Sequence, residues 1–365
     1  MHDAGLMSAL LALSARQLSI GFNAEEVFQD RNIGLQYYYE TLHYVQQAMH
    51  YDSYTVSLEL LATALIISTY EMLDDFGSGW ERHLKGVFWI QRSQVIHGES
   101  GGLRQAVWWA WLRQDIWAAF RERRKTLSFW VPKKAYSAMS SFEIAARILW
   151  IFAKVVDYCS EEESQAAEGN LQIRIDSAER LIQMLDEWNN ELTVEFAPIT
   201  GRKGRQSNVF EPIWIHPPVF GETRSQLCLP RTVTDFCKGN SVQLHSAARI
   251  LVLLHKPLLT GMREYMMQQQ VVEKAVKTIC GIALTLDDPA SSFMSSYCLY
   301  IGESYLYIRI MLHVLSFGIA GLYTQDLHQR KEITSLIDAC HQRTGWPSQS
   351  LSHDLGKEWQ KSDLV

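Results

Sequence analysis

Apolar positions recur at helical spacing along nearly the whole chain. Leu58, Leu61 and Leu65 form one stripe at intervals of three and four residues. The segment 103–126, which reads LRQAVWWAWLRQDIWAAFRERRKT, keeps this spacing with a wider apolar face. It contains four tryptophans, Trp108, Trp109, Trp111 and Trp117. We interpret the segment as a buried helix with a cationic end, and its tryptophans as core residues rather than a cofactor-binding group.

Local signals predict where several elements begin and end. Ser140 and Glu143 have capping-box spacing and predict the start of a helix through the apolar run 144–156. A helix over 244–254 is expected to end before Pro257, because proline cannot donate to the helix ladder. The acidic segment 161–170, EEESQAAEGN, is predicted to be a polar loop.

Strand signals are nearly absent, since alternating runs rich in Val, Ile and Thr are rare and no Asn-Gly turn occurs. The pattern predicts an all-α bundle of about a dozen helices without a significant sheet. The segment 198–230 is rich in Gly, Pro, Arg and Ser and predicts a long irregular connection. We therefore expect one domain over 1–365, with helical halves at 1–197 and 231–365 joined by that connection.

Composition narrows the function classes. The 365 residues are 47% hydrophobic and 20% charged, which suits a sizeable buried core. The net charge of -6 disfavours a protein whose whole surface binds nucleic acid. The apolar run 60–67 is far shorter than the roughly 20 residues that a membrane helix needs. The first residues lack the charged start of a signal peptide, so we expect an intracellular, soluble protein.

No residue pattern supports a cofactor or metal site. The six cysteines, Cys159, Cys228, Cys237, Cys280, Cys298 and Cys340, are dispersed and form no C-x-x-C pair. We expect them to be small buried side chains in a reducing compartment. The twelve histidines lack metal-ligand spacing, and no nucleotide-binding glycine motif occurs. We accordingly assign no catalytic, cofactor-binding or metal-ligating residue.

Two groups of residues resemble enzyme motifs. Residues 98–102, GESGG, match G-x-S-x-G, but that motif needs a preceding strand, whereas 80–96 has helical periodicity. We therefore interpret them as one helix end and the next helix start. The carboxylate pairs Asp74-Asp75 and Asp287-Asp288 suggest the magnesium site of an all-helical terpene cyclase. The distal carboxylate of that site is missing, and we keep a cyclase-like biosynthetic enzyme as the alternative.

The densest basic cluster consists of Arg121, Arg123, Arg124 and Lys125, with Lys133 and Lys134. Such a cluster can contact phosphates or direct nuclear import. Cations are also common at a helix C-terminus, where they complement the helix dipole. The acidic net charge favours the second interpretation.

Six short segments, in order along the chain, share a pattern with one known family. They are Leu11-Ala12-Leu13-Ser14-Ala15; Tyr38-Tyr39 with a helix 60–71 ending in Thr69-Tyr70-Glu71; Trp80-Glu81-Arg82-His83-Leu84-Lys85-Gly86; the segment 103–124; Ala248-Arg249-Ile250-Leu251 to Pro257; and Thr344-Gly345-Trp346-Pro347 with Leu355 and Trp359. Together they resemble the fungal-specific transcription factor domain, the regulatory region that follows a fungal binuclear zinc cluster.

The resemblance implies a nuclear transcription regulator of a metabolic or secondary-metabolite pathway, and not an enzyme. It implies protein partners from the transcription machinery or a homodimer, and a small-molecule effector. Members of the family read DNA through six closely spaced zinc-binding cysteines. The dispersed cysteines here match none of those ligands, so zinc is expected only if an N-terminal cysteine cluster exists. We expect no DNA binding by this chain alone; a truncated, inactive regulator is a further alternative.

Overall fold

The structure is a computed structural model that describes residues 3–19, 24–74, 79–166, 170–199, 209–215, 238–257, 262–286, 288–302 and 321–344. Thirteen α-helices lie in these ranges. They are α1 (Ala4–Leu18), α2 (Ala24–Ala48), α3 (Asp52–Thr55), α4 (Leu58–Asp74), α5 (Gly79–Ser93), α6 (Gly102–Glu122), α7 (Ser141–Cys159), α8 (Glu161–Ala166), α9 (Leu171–Asn190), α10 (Lys238–His255), α11 (Met262–Ala283), α12 (289–302) and α13 (Gly321–Thr344). Two 3-10 turns lie at Tyr136–Ala138 and Val194–Phe196.

The all-α prediction is confirmed over these ranges. The described residues contain no strand, and their one β-bridge joins Pro198 to Ile215. The Cα positions divide the chain into two compact units, one of Met1–Ala118 with Leu127–Lys133 and the other of Ala119–Thr126 with Lys134–Val365. The irregular connection predicted at 198–230 and the two helical halves stay predictions, because 200–208 and 216–237 lie outside the described residues.

The first unit is built on helices that bury broad apolar faces. α1 packs on α2 and α4, and α4 packs on α5. The tryptophans of α6 belong largely to the core: Trp108, Trp111 and Trp117 are buried, and Trp109 is half-buried. The Trp111 indole N–H donates to the Leu84 carbonyl at 3.1 Å, which satisfies its polar atom inside the core. The interpretation of this segment as core is therefore confirmed.

The second unit has α10 near its centre, packed on α7, α9 and α11. The predicted capping box is present, because Ser140 Oγ accepts from the Glu143 amide while the Glu143 carboxylate accepts from the Ser140 amide. The helix predicted before Pro257 ends at His255. Buried amide side chains tie three helices together, since Gln243 Nε2 donates both to Ile279 O on α11 and to Ser295 Oγ on α12.

The polar loop predicted at 161–170 is wrong for its first part. Glu161–Ala166 forms α8, and 167–169 lie outside the described residues. Ser160 Oγ accepts from the Glu163 amide at 3.3 Å and so caps the helix. Three glutamates then occupy the first turn, where negative charge complements the helix dipole. The acidic run that suggested a loop is thus a favourable helix start.

Candidate functional site

A buried carboxylate connects three helices of the first unit. Glu71, on α4, is 3% exposed. Its Oε1 accepts from the Tyr38 hydroxyl of α2 at 2.7 Å, and its Oε2 lies 2.8 Å from His83 Nδ1 of α5. We call these three residues the Glu71 cluster. Each belongs to one of the segments that carry the family resemblance, so those segments meet at this point.

The cluster is rigidly held on the Tyr38 side. The Tyr38 ring stacks on Tyr70 at a centroid distance of 5.0 Å and an interplanar angle of 17°. Burial, followed by the hydrogen bond to Glu71, raises the pKa of Tyr38 far above its ordinary value. Tyr38 therefore stays protonated and acts as a donor to the carboxylate. Such an arrangement stabilises the fold and gives Tyr38 no role as a base.

A second set of hydrogen bonds ties α6 to the same helices. Ser68 Oγ donates to the Trp80 carbonyl at 3.2 Å and also contacts Gln114 Oε1 at 3.2 Å. Gln114 Nε2 donates to Thr69 Oγ1 at 2.6 Å. Ser68 and Thr69 lie within one turn of Glu71 along α4. Buried polar networks of this kind fix helix register when all members are satisfied.

The structure explains the G-x-S-x-G match at residues 98–102 as a turn between two helices, with no role for Ser100 as a nucleophile. Helix α5 precedes it and α6 starts at Gly102, as the helix-end interpretation required. Ser100 Oγ accepts from the His97 amide at 2.9 Å and closes the turn. A Cβ at Gly98 would lie within 3.0 Å of the rings of Trp108, Trp109 and Trp130. Glycine is needed there for packing, because no other residue fits so close to the indoles.

Only some residues of the two carboxylate pairs, Asp74-Asp75 and Asp287-Asp288, lie in the described part of the chain. Asp75 and Asp287 lie outside the described residues, as does the side chain of Asp74. Asp288 is exposed, and its Oδ1 accepts from the Ser291 amide at 2.7 Å. It therefore caps the start of α12, a common position for aspartate.

The basic cluster at the end of α6 meets the acidic turn of α8. Lys125 Nζ lies 3.0 Å from Glu162 and 2.7 Å from Glu163. Glu161 lies 3.9 Å from the guanidinium of Arg123, whose positive φ of 52° ends α6. Lys134 pairs with Glu143 at 2.6 Å. These three of the six cations thus pair with carboxylates of the second unit, which favours the interpretation of the cluster as a helix terminus.

Sequence reasoning missed a thiol–imidazole contact in the second unit. Cys159 Sγ lies 3.4 Å from His255 Nδ1. Burial raises the pKa of Cys159 to about 12 and lowers the pKa of His255 below its ordinary value. Both shifts favour the neutral forms, so the contact is not a thiolate–imidazolium pair. Cys280, Cys298 and Cys340 are buried free thiols, as expected, while Cys228 and Cys237 lie outside the described residues.

The comparisons with known proteins point to one family. Residues 1–97 match the model of the fungal specific transcription factor domain. The resemblance is confirmed over this range, which holds the Glu71 cluster and the first three of the six segments. The last of those segments lies outside the described residues, apart from Thr344 at the end of α13. No curated protein and no solved structure matched the chain.

The matched model is that of a domain of fungal transcription factors, and the match covers 97 of the 365 residues. Among the described helices, none is long and apolar enough to cross a membrane. No three His, Cys, Asp or Glu side chains of the described residues are grouped as metal ligands.

Proposed function

We propose that the chain is the regulatory module of a transcription regulator of the fungal zinc-cluster type. It acts in the nucleus, on genes of a metabolic or secondary-metabolite pathway. The family match over residues 1–97 carries the proposal. The Glu71 cluster supports it, because the matched segments are held together by buried hydrogen bonds that position helices and leave no reactive group.

The module is proposed to work through protein partners, with DNA reading supplied by another chain or another segment. The acidic net charge of -6 supports this version, as does the pairing of the basic cluster with α8. The protein partners belong to the transcription machinery or are a second copy of the chain, and a small-molecule effector is part of the proposal because the family implies one. For the cyclase alternative, no described contact favours a metal role, and Asp288 is accounted for as a helix cap.

A tethering experiment tests the proposal. The full chain is fused to an unrelated DNA-binding domain, and transcription of a reporter with the matching site is measured. We expect a several-fold change relative to the DNA-binding domain alone. The matched control is the Glu71→Ala fusion at equal abundance, in which a destabilised module should lose the effect. A soluble, abundant wild-type fusion that leaves transcription unchanged contradicts a regulatory role.

Two measurements on the purified chain distinguish the proposal from its alternatives, which are direct DNA reading and a cyclase-like enzyme. We expect selection from a random double-stranded DNA pool to enrich no sequence. Enrichment of one sequence would show that the chain reads DNA by itself. Turnover of an allylic diphosphate in the presence of Mg²⁺, lost in Asp288→Asn, would instead support the cyclase alternative.

A further inference from the structure

The outward side of α5 carries an unusual stripe. Its exposed positions follow helical spacing, and we call them the α5 face: Arg82, Lys85, Gly86, Trp89, Arg92 and Ser93. From first to last residue the face spans roughly 16 Å, about three helical turns. The opposite side of α5 carries the buried residues Leu84, Val87 and Phe88. Helix α5 therefore packs into the core of the first unit on one side and presents a continuous exposed stripe on the other.

Two large aromatic rings stand on this surface. Trp89 is 61% exposed, and Phe129, from the segment after α6, is 60% exposed. The Arg92 guanidinium lies between them, 5.6 Å from the Trp89 ring centroid and 5.4 Å from that of Phe129. Phe88 supports both rings from the core side, at centroid distances of 5.1 and 6.2 Å. Exposed, rigid Trp and Arg side chains are typical of interface hot spots.

Gly86 is the second unusual feature of the α5 face. It lies inside the helix, where glycine is unfavourable relative to alanine. A Cβ at this position would meet no heavy atom within 4 Å, so no internal neighbour requires the glycine. What glycine does provide is a recess one turn from Trp89, at which a second backbone can approach closely.

The charge of the α5 face indicates what approaches it. Arg82, Lys85 and Arg92 are exposed, and the face contains no carboxylate. Arg82 and Lys85 form no ion pair with any residue that the structure describes. The chain as a whole carries a net charge of -6, so this basic stripe contrasts with the protein around it. An acidic ligand is complementary to the face, whereas a second copy of it would bring like charges together.

We propose that the α5 face, together with Phe129, binds an acidic amphipathic helix of a partner protein. Apolar side chains of that helix pack on Trp89 and Phe129, its backbone passes over Gly86, and its carboxylates lie opposite Arg82 and Lys85. A nucleic acid fits less well, because a phosphate backbone extends beyond three cations onto an acidic protein. The inference rests on the proposed function for its biological role, but the binding is measured without any reporter.

Fluorescence anisotropy tests the inference on the full purified chain. The probe is a designed, labelled helical peptide with Glu and Asp on one face and Leu and Phe on the other. Its counterpart carries Lys in place of the acidic residues. We expect the acidic peptide to bind, to bind more weakly as salt rises, and to bind better than the Lys peptide.

Three variants locate the binding. Trp89→Ala is expected to weaken it by about tenfold or more, as is Lys85→Glu. Gly86→Leu should do the same while leaving the thermal midpoint unchanged or higher, since its side chain has open space in the free protein and glycine is unfavourable inside a helix. Tyr51→Ala, which removes another exposed aromatic of the same unit, and Arg180→Glu, a charge reversal on α9, are the matched controls and should leave binding unchanged.

Three outcomes would overturn the inference. One is binding of a single-stranded oligonucleotide at Trp89 with no peptide binding. Another is self-association that Trp89→Ala abolishes while the peptide stays unbound. A third is peptide binding that none of the three variants affects. Loss of the tethered reporter effect with peptide binding intact would instead contradict the proposed function alone.

Discussion

The Glu71 cluster yields a ranked set of stability effects. Glu71→Ala opens a cavity and leaves the Tyr38 hydroxyl without its acceptor, which should cost about 3–5 kcal/mol in total. Tyr38→Phe keeps the ring stacked on Tyr70 and removes one hydrogen bond to a charged group, at a cost of about 1.5–3 kcal/mol. The side chain of His83 is 38% exposed, so His83→Ala should cost at most about 1 kcal/mol.

Hydrogen exchange followed by mass spectrometry measures these costs locally. Peptides from α4 report the opening free energy of that helix, without assuming that two compact units unfold together. A loss of about 2 kcal/mol corresponds to exchange roughly 30 times faster. Gln36→Ala, which breaks an exposed contact to Glu40 on the same helix as Tyr38, is the control and should change exchange little.

The double variant Tyr38→Phe/Glu71→Ala provides the decisive comparison. If the two side chains share one hydrogen bond, the double variant costs less than the two single variants added together, by about 1.5–2 kcal/mol. Additive costs, or a His83→Ala effect as large as that of Tyr38→Phe, would refute the view that the carboxylate is held mainly by Tyr38.

Two further effects follow from single buried or strained residues. Burial, followed by the nearby Arg249 charge, lowers the pKa of His245 to about 4. The stability that neutral His245 contributes is thus complete above the unfolded pKa of about 6.5 and is lost as pH falls toward 4, by about 3 kcal/mol in all. The denaturant midpoint should therefore fall as pH decreases through this range. His245→Gln should make the midpoint depend less on pH. Val95, two residues after the end of α5, has a φ of 55° and is 72% exposed. Val95→Gly should therefore stabilise by about 1 kcal/mol, seen as a higher thermal midpoint, and an unchanged or lower midpoint would show that the backbone carries no strain.

Local signals in the sequence predicted the elements that depend on neighbours in the chain. The Ser140–Glu143 capping box and the helix end before Pro257 are confirmed, because each depends on residues within one helical turn. The prediction of a loop at 161–166 was wrong because it considered only the polarity of the segment. The capping serine before it and the helix dipole both favour a helix there.

The Glu71 cluster could not be predicted in this way. Tyr38 lies 33 residues from Glu71 and His83 lies 12 residues from it, on three different helices. Nothing in the spacing shows that a glutamate faces inward, since glutamates are rarely buried without a partner. The family resemblance selected the right segments, and only the packing of α2, α4 and α5 explains why they belong together.

The α5 face was, in contrast, readable in part. Arg82, Lys85, Trp89 and Arg92 recur at intervals of three and four, which places a tryptophan on a basic stripe. The sequence alone does not place Trp89 on the surface, because its apolar neighbours Phe88 and Ile90 suggest a buried segment. Trp89 is 61% exposed in the structure and therefore belongs to the surface stripe.

Because α5 takes part in both the buried cluster and the exposed face, fold and recognition can be separated by variants on its two sides. Glu71→Ala removes the contact between α4 and His83 of α5. It should therefore weaken peptide binding without altering the salt dependence of that binding. Lys85→Glu leaves the buried contacts intact and should change the salt dependence while the exchange rates of α4 stay the same. If both variants altered both quantities equally, the exposed stripe would be acting through the stability of the fold, and recognition would have to be sought on another surface.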